Sequence, residues 1–463
     1  MKKIDTKKLV GKAAFCALLG LTLSGCASSV QPEHAKESSA MQEDNRKELV
    51  AVAQAEFPSE PEFKTEDDQW NYSMERREKL TEEFTSAYQA FAMKTSAELL
   101  KDSSENIAYS PLSLYYALAL ACDGADGATQ EEILRLLGYE NIESLETDCK
   151  GAFEALYYVP NEKNNKPNEW GEYPSESRYT LMIANSLWAD DSMELDPTYA
   201  ERAAKLFYAD IFRGDLQAEE TAKKKAEWVR EKTKGLIEAS EQPLLDNAQL
   251  SIVNTVYFYD EWMNRFQKEE TKEDSFTLAD GTEVTCEFMN MIRSSAGFRR
   301  GENYTASSLS LKNGNMVFVL PDEGVDVNTL AEDEATLSEV LFDGGESLFG
   351  RVTWKVPKFS YGSDMELADA LKTLGMKDAF TSDADFSSMS ESAQVFISDI
   401  RQNAHIGIDE NGVEAAAFTE ILFAGAALPK DEAEMILDRP FLYAVINNGQ
   451  IVFTGICEDP SKE

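Results

Sequence analysis

Apolar residues recur at helical spacing between Thr81 and Leu100, where Phe84, Tyr88, Phe91 and Leu99 predict a helix with one buried face. A second helix is predicted from Leu112 to about Cys122, with Ser110 as its cap and Pro111 in its first turn. Runs rich in Val, Ile, Phe and Trp at Leu181 to Ala189, Ser251 to Tyr259, Val352 to Phe359 and Val395 to Ile408 predict strands. Helical segments at Tyr199–Tyr208 and Met365–Leu374 lie between them, and a Pro-, Asn- and Glu-rich stretch from about Val159 to Arg178 predicts a surface loop. The strands are far apart, with no regular βαβ period and no internal repeat. This is a mixed α+β pattern.

The amino terminus follows a different pattern. Lys2, Lys3, Lys7 and Lys8 precede an apolar run from Ala13 to Leu23, which closes on Leu23-Ser24-Gly25-Cys26. A positive leader followed by a short apolar run predicts a signal peptide over 1–25, too short to remain as a membrane span. The Leu-Ser-Gly-Cys ending resembles a lipobox, which implies a lipidated Cys26 as first mature residue and attachment to a membrane, cell-surface or extracellular in location. An ordinary signal peptide with an incidental cysteine is the alternative. Residues 26–79 are polar, with prolines at Pro32, Pro58 and Pro61, and predict a disordered tether ahead of one folded domain at 80–463.

Charge and composition narrow the chemistry. The chain has net charge −40, and loss of 1–25, with five lysines and one aspartate, leaves −44. Such a surface repels nucleic acid and anionic lipid. Cys122, Cys149, Cys286 and Cys457 are too dispersed for a zinc knuckle or redox pair, although one disulfide stays open. The two histidines are His34, in the tether, and His405, so a nucleophile–histidine hydrolase would have to be built on His405. No phosphate-binding loop or nucleophile elbow is present. The composition argues against an enzyme and offers no metal or cofactor site.

Several ordered segments carry a family resemblance. Asn106 to Leu114 (NIAYSPLSL) with Gly124-Ala125-Asp126-Gly127-Ala128-Thr129, Thr233 to Ile237 (TKGLI), Val253 to Trp262 (VNTVYFYDEW), Pro357-Lys358-Phe359, Leu374-Gly375-Met376, Ser398-Asp399, and Arg439-Pro440-Phe441-Leu442 through Phe453-Thr454-Gly455 to Pro460 resemble the serpins. The resemblance spans about residues 80–460. It implies a metastable fold of three β-sheets and about nine helices with an exposed reactive loop, acting as a monomeric inhibitor that traps serine proteases covalently. It further implies that Ser110, Ser113, Asn254 and Gln402 are polar residues under the large sheet, and that Trp262 stands where the loop first enters. The family often has histidine where Gln402 stands; glutamine still donates and accepts.

The loop can also be read on its own. From Val413 to Ala424, alternate residues Val413, Ala415, Ala417, Thr419, Ile421 and Phe423 are apolar or hydroxylic, while Glu414 and Glu420 fall between them. Period-two alternation fits a strand with one buried face, yet an alanine run beside Gly412 also fits a flexible connector. The family hinge, Glu-x-Gly-x-Glu followed by small residues, matches Glu410-Asn411-Gly412-Val413-Glu414-Ala415-Ala416-Ala417, and Phe418 departs from it. Fourteen residues on from Gly412, the family length, the reactive bond falls at Ala426–Ala427, suited to elastase-like or subtilisin-like enzymes. Phe423–Ala424 is the main rival and Lys430 a third. A non-inhibitory carrier or protease substrate, or an unrelated adhesin or enzyme, remain as alternative functions.

Overall fold

The computed structural model describes residues 49–161, 179–237, 239–244, 248–391, 395–398, 400–413 and 431–462. The chain opens with β1 (Val50–Ala53), α1 (Glu66–Arg77), α2 (Glu82–Leu100), β2 (Ile107–Tyr109), α3 (Pro111–Gly124), α4 (Gly127–Leu137) and α5 (Ile142–Leu156). β3 (Thr180–Asp190), α6 (Pro197–Leu206), β4 (Ala209–Gly214), α7 (Glu219–Lys232) and β5 (Leu250–Glu261) follow. Next come β6 (Lys272–Thr277), β7 (Glu283–Arg300), β8 (Tyr304–Ser310), β9 (Gly314–Pro321), α8 (Glu334–Ser338), β10 (Glu346–Pro357), β11 (Phe359–Glu366) and α9 (Ala368–Thr373). β12 (Ile400–Ile408), β13 (Gly412–Val413), β14 (Asp431–Ile436), β15 (Phe441–Asn447) and β16 (Gln450–Cys457) complete it.

The strands form two hydrogen-bonded networks. One has seven strands in the order β1-β4-β3-β5-β13-β12-β11; the other runs β14-β10-β7-β8-β9-β15-β16-β2, with β6 beside β7. The resemblance implied three sheets. The second network joins what would be two of them because the 18-residue β7 continues from its pairing with β6 into its pairing with β8. All fourteen residues of α3 are buried, as expected of a helix that is apolar all round and enclosed by other elements. Ser110 accepts from the Ser113 amide and Pro111 needs no partner for its missing N–H, so the cap read from sequence is the observed one. Thr81 caps α2 in the same way, and Phe84, Tyr88 and Phe91 of α2 surround the Tyr115 ring edge-on at 5.0–5.6 Å.

Two element boundaries differ from expectation. Met365 and Glu366 continue β11, paired with Gln402 and Arg401, so the helix predicted from Met365 begins only at Ala368. The strand predicted from Val395 begins at Ile400. All four described cysteines are free thiols, which removes the disulfide left open above.

The tether expected over 26–79 is overturned from Leu49 onward. β1 adds an edge strand to the large sheet by antiparallel pairing with β4, and the Ala55 amide donates to Asp210 at 3.0 Å. Phe57 then stacks on Tyr157 at 5.3 Å between centroids and on Tyr208 at 6.3 Å. Two residues past Pro58, buried Glu60 accepts from the Tyr158 hydroxyl at 2.5 Å and from the Asn161 amide at 2.8 Å. α1 is fastened by Arg76, which donates to the carbonyls of Glu154, Ala155 and Tyr157 at the end of α5, where the helix dipole favours a cation. Residues 26–48 lie outside the described residues.

These contacts make the 49–79 segment part of the domain. Phe57→Ala is expected to lower unfolding free energy by about 2 kcal/mol from lost apolar burial, and a chain started at Thr81 should melt below one started at Leu49. Equal midpoints for the two chains in thermal unfolding would contradict the packing.

Candidate functional site

β5 and β12 run parallel at the centre of the large sheet, yet they pair directly only at Ile252–Asn254 with Ile400–Gln402. At the other end β13 fills the space between them, antiparallel to both, with Gly412 opposite Glu261 and Val413 opposite both Asp260 and Ile408. Between these closures, residues 255–259 of β5 and 403–407 of β12 have no ladder with each other among the described residues. A cavity of about 110 Å³ lies in this gap, lined by Val256, Phe258, His405, Ile406, Val413 and Phe453. The segment at Thr233, Leu236 and Ile237 borders it too, and the Lys234 ammonium sits 4.5 Å from the centre of the Tyr257 ring. The arrangement is a slot one strand wide with two residues of strand already seated at its mouth.

A tight turn places those two residues. Asp409 accepts from the amides of Asn411 at 2.8 Å and Gly412 at 3.3 Å, while its own amide donates to the Gly412 carbonyl at 3.0 Å. A Cβ at Gly412 would stand 2.3 Å from the Asp260 carbonyl oxygen and 2.7 Å from the Glu261 Cα, so the approach to β5 requires glycine. Trp262 is buried and donates its indole N–H to the Asp409 carbonyl at 2.9 Å, and its amide donates to the Asn411 carbonyl at 2.9 Å. Glu410 is buried as well. Burial alone would raise its carboxyl, but the Thr271 hydroxyl at 2.8 Å and the Lys358 ammonium at 3.4 Å help hold it below the ordinary value. Burial pushes neighbouring Asp260 up to about 6 despite donors from Asn313 and the Glu261 amide.

From sequence the hinge reads as a connector until cleavage, with Val413 the first side chain to turn inward. In the structure the Val413 side chain is buried in the core while Gly412 and Val413 pair into the large sheet. Glu414, Ala415, Ala416, Ala417, Ala426, Ala427 and the lipidation candidate Cys26 lie outside the described residues.

The closed end of the slot is held by a buried polar chain. Gln402 accepts from the Ser110 amide at 2.8 Å and donates to the Ser110 carbonyl at 2.9 Å, while the Ser110 hydroxyl donates to the Val452 carbonyl at 2.7 Å. The Ser113 hydroxyl donates to Asn254, which stands opposite Gln402 in the ladder. Asn254 donates in turn to Asn185 on β3, whose amide reaches the Phe207 carbonyl at 2.7 Å. Asn185 was missed from sequence, where the polar pair Asn185-Ser186 inside an otherwise apolar strand was the available signal. Buried polar groups of this kind are tolerated because each finds a partner.

His405 borders the slot and lies 3.2 Å from the Ser360 hydroxyl, and burial lowers its imidazole below the ordinary value. The described residues hold no cluster of three or more side chains fit for a metal.

Comparison with known proteins converges on one description. The family model "Serpin (serine protease inhibitor)" matches residues 86–460. Serpin A3-6 of Bos taurus is 31% identical over 373 residues, covering 78% of this chain and 85% of the relative. Serine proteinase inhibitor 2.4 of Apodemus sylvaticus is 29% identical over 381 residues, covering 80% and 87%. Among solved structures, the thermophilic serpin tengpin in its native state gives a TM-score of 0.69 at 26% identity, covering 89% of this chain and 100% of that one. Human thyroxine-binding globulin also gives 0.69, at 24% identity over 82% and 99%, a likeness of fold.

The contact at Gly412 makes the seated hinge testable. Gly412→Ala should expel β13 from the sheet, because backbone on β5 cannot move away as a flexible side chain would. Hydrogen exchange is expected to quicken in peptides covering 258–262 and 409–413, with the thermal midpoint a few degrees lower. Unchanged exchange in both peptides would show that the two residues are not held as described.

Proposed function

The chain belongs to the serpin family, and on that premise we propose that it is a suicide inhibitor of serine proteases, with elastase-like or subtilisin-like enzymes as targets. The observation that carries this reading is the slot between β5 and β12, with Gly412 and Val413 already entered antiparallel to both walls. Strand addition of this kind is the known serpin device. Three alanines, Ala415 to Ala417, follow in the chain, and no proline or charge falls on the alternate positions Ala415, Ala417, Thr419 and Ile421 that share Val413's parity.

The mechanism follows from a race. A serine protease attacks Ala426–Ala427, the Ala426 carbonyl becomes an ester of its catalytic serine, and the amine of Ala427 leaves. Freed at that end, the loop continues the strand begun by Gly412 and Val413. Opening the direct pairing of Ile252–Asn254 with Ile400–Gln402 is then required, which is where Ser113, Asn254, Asn185, Ser110 and Gln402 meet. Fourteen residues at about 3.3 Å carry the ester some 45 Å along the sheet. A displacement of about 1 Å can cost an active site roughly 100-fold, so an enzyme dragged that far is left acylated. Cys26 anchors the inhibitor to a membrane through lipid in this reading, on the strength of the Leu-Ser-Gly-Cys motif.

The test is direct. The chain freed of its leader is mixed with elastase, subtilisin, chymotrypsin and trypsin, and the products are run on a denaturing gel. A complex resistant to detergent is expected with elastase or subtilisin, and the released peptide should begin at Ala427. Ala415→Arg should be cut at the same bond and release active protease, because a buried unpaired charge slows insertion about tenfold for each 1.4 kcal/mol it adds. Glu414→Arg, on the opposite face, should still trap. Cleavage of the unsubstituted chain within 423–430 without any resistant complex would mark a non-inhibitory serpin.

A further inference from the structure

The register of the large sheet fixes where the amino-terminal segment enters the fold. Leu250 of β5 stands opposite Ala189 of β3, Ala189 opposite Arg213 of β4, and Arg213 opposite Val50 of β1. Val50 is therefore level with the first residue of β5, whereas the mouth of the gap is at Glu261, the last. β4 runs away from the mouth and β1 is antiparallel to it, so the residues before Val50 lie farther from the mouth still. Leu49 agrees: a Cβ on Gly214, the last residue of β4, would stand 3.0 Å from the Leu49 Cα. The chain that leads back to Cys26 thus leaves the sheet at the pole opposite the loop, about 36 Å from the mouth along β5.

Resting on the inhibitory reading and the Cys26 anchor above, we propose that the trapped protease is delivered to the pole from which the anchor chain leaves, and that residues 27–48 are a spacer long enough to admit it between the fold and the membrane. The same register carries the argument. Gly412 pairs with Glu261 and Val413 with Asp260, so each further residue of an inserted strand steps one residue back along β5. Phe423 then comes opposite Leu250, and Ala426, which bears the ester, lies three residues beyond, past the level of Leu49. Enzyme and anchor chain converge on one end of the sheet. Before cutting they are at opposite ends, so recognition of the loop asks nothing of the spacer. After cutting, the enzyme has to fit beneath the fold, and a protease of about 250 residues is roughly 40 Å across. The twenty-two residues 27–48 reach about 75 Å when extended. Val30 and Met41 are the large aliphatic side chains among them, so little in the spacer competes to bind the fold or the bilayer.

The test couples a chain beginning at Cys26 to a maleimide phospholipid in phosphatidylcholine vesicles, so that it does not depend on lipidation in the cell. Cys286, half-buried, is changed by Cys286→Ser, and Cys122, Cys149 and Cys457 are buried. This chain is compared with one lacking residues 29–44, whose remaining six spacer residues reach about 20 Å. The deletion precedes β1, and equal thermal midpoints verify folding. Both chains should trap the protease alike in solution. On vesicles the short chain should be cut at the same bond and at a similar rate, while its yield of resistant complex falls about tenfold and active protease is released. Sixteen residues of unrelated Gly-Ser sequence put in place of 29–44 should restore trapping, because length is what the spacer supplies. Equal trapping on vesicles by the short and full chains would overturn the proposal. So would loss of cutting along with trapping, since the membrane would then be screening the loop itself. Absence of a resistant complex in solution as well would instead overturn the inhibitory reading, and the proposal with it.

Discussion

β5 and β12 lie side by side at the centre of a seven-stranded sheet and are not joined through their middle. Each is satisfied on its other edge, β5 by β3 and β12 by β11. Their inner edges face each other across a gap in which the described residues form no β5–β12 ladder, and backbone groups held away from water favour any strand that can pair with them. Gly412 and Val413 are the start of the loop, and they are seated at the mouth of that gap. In the inhibitory reading proposed above, whatever shuts the gap governs how long the protein keeps its active form.

Two arrangements border that gap, and a third fastens the sheet's far edge. At one end, direct pairing of the strands is backed by Gln402, Ser110, Ser113, Asn254 and Asn185, which exchange hydrogen bonds across β12, α3, β5 and β3. At the mouth, the turn from Asp409 to Gly412 seats two residues and stops, held by Trp262 and by the buried Glu410 with Lys358. At the far edge, β1 covers β4 and Phe57 and Glu60 tie the segment behind it to α5 and its neighbours. Deep polar clusters lose more by partial disruption than by none, so the closed end opens as a unit or stays shut. In the proposed mechanism, that gives the insertion step a barrier lying well away from the reactive bond.

Much of this was legible in sequence because the signals were local. The cap Ser110-Pro111 and the apolar spacing of Phe84, Tyr88 and Phe91 placed two helices within a residue or two, and the described turn at Asp409–Val413 overlaps the motif read over Glu410 to Ala417. The gap was not legible, since it is a missing pairing between strands roughly 150 residues apart. The docked amino-terminal segment was equally hidden: it is polar on average and its hold depends on single residues, Phe57 and Glu60, whose partners lie about a hundred residues on. Met365 misled because a strand end and a helix start share the same apolar spacing over four residues. Asn185 shows the converse, a polar residue in an apolar run whose meaning emerges only with Asn254 beside it.

The central claim is that the protein stores the free energy of an unfilled strand, and thermal unfolding before and after a single cut in the loop measures it. A non-target protease that nicks the chain within 420–430 should convert it to a form melting tens of degrees higher, with amides of 255–259 and 403–407 newly protected from exchange. Nicking an ordinary surface loop leaves the midpoint unchanged or lowers it. An unchanged or lowered midpoint, with those amides exchanging as before, would mean that no strand enters and that the gap between β5 and β12 is not the reservoir described.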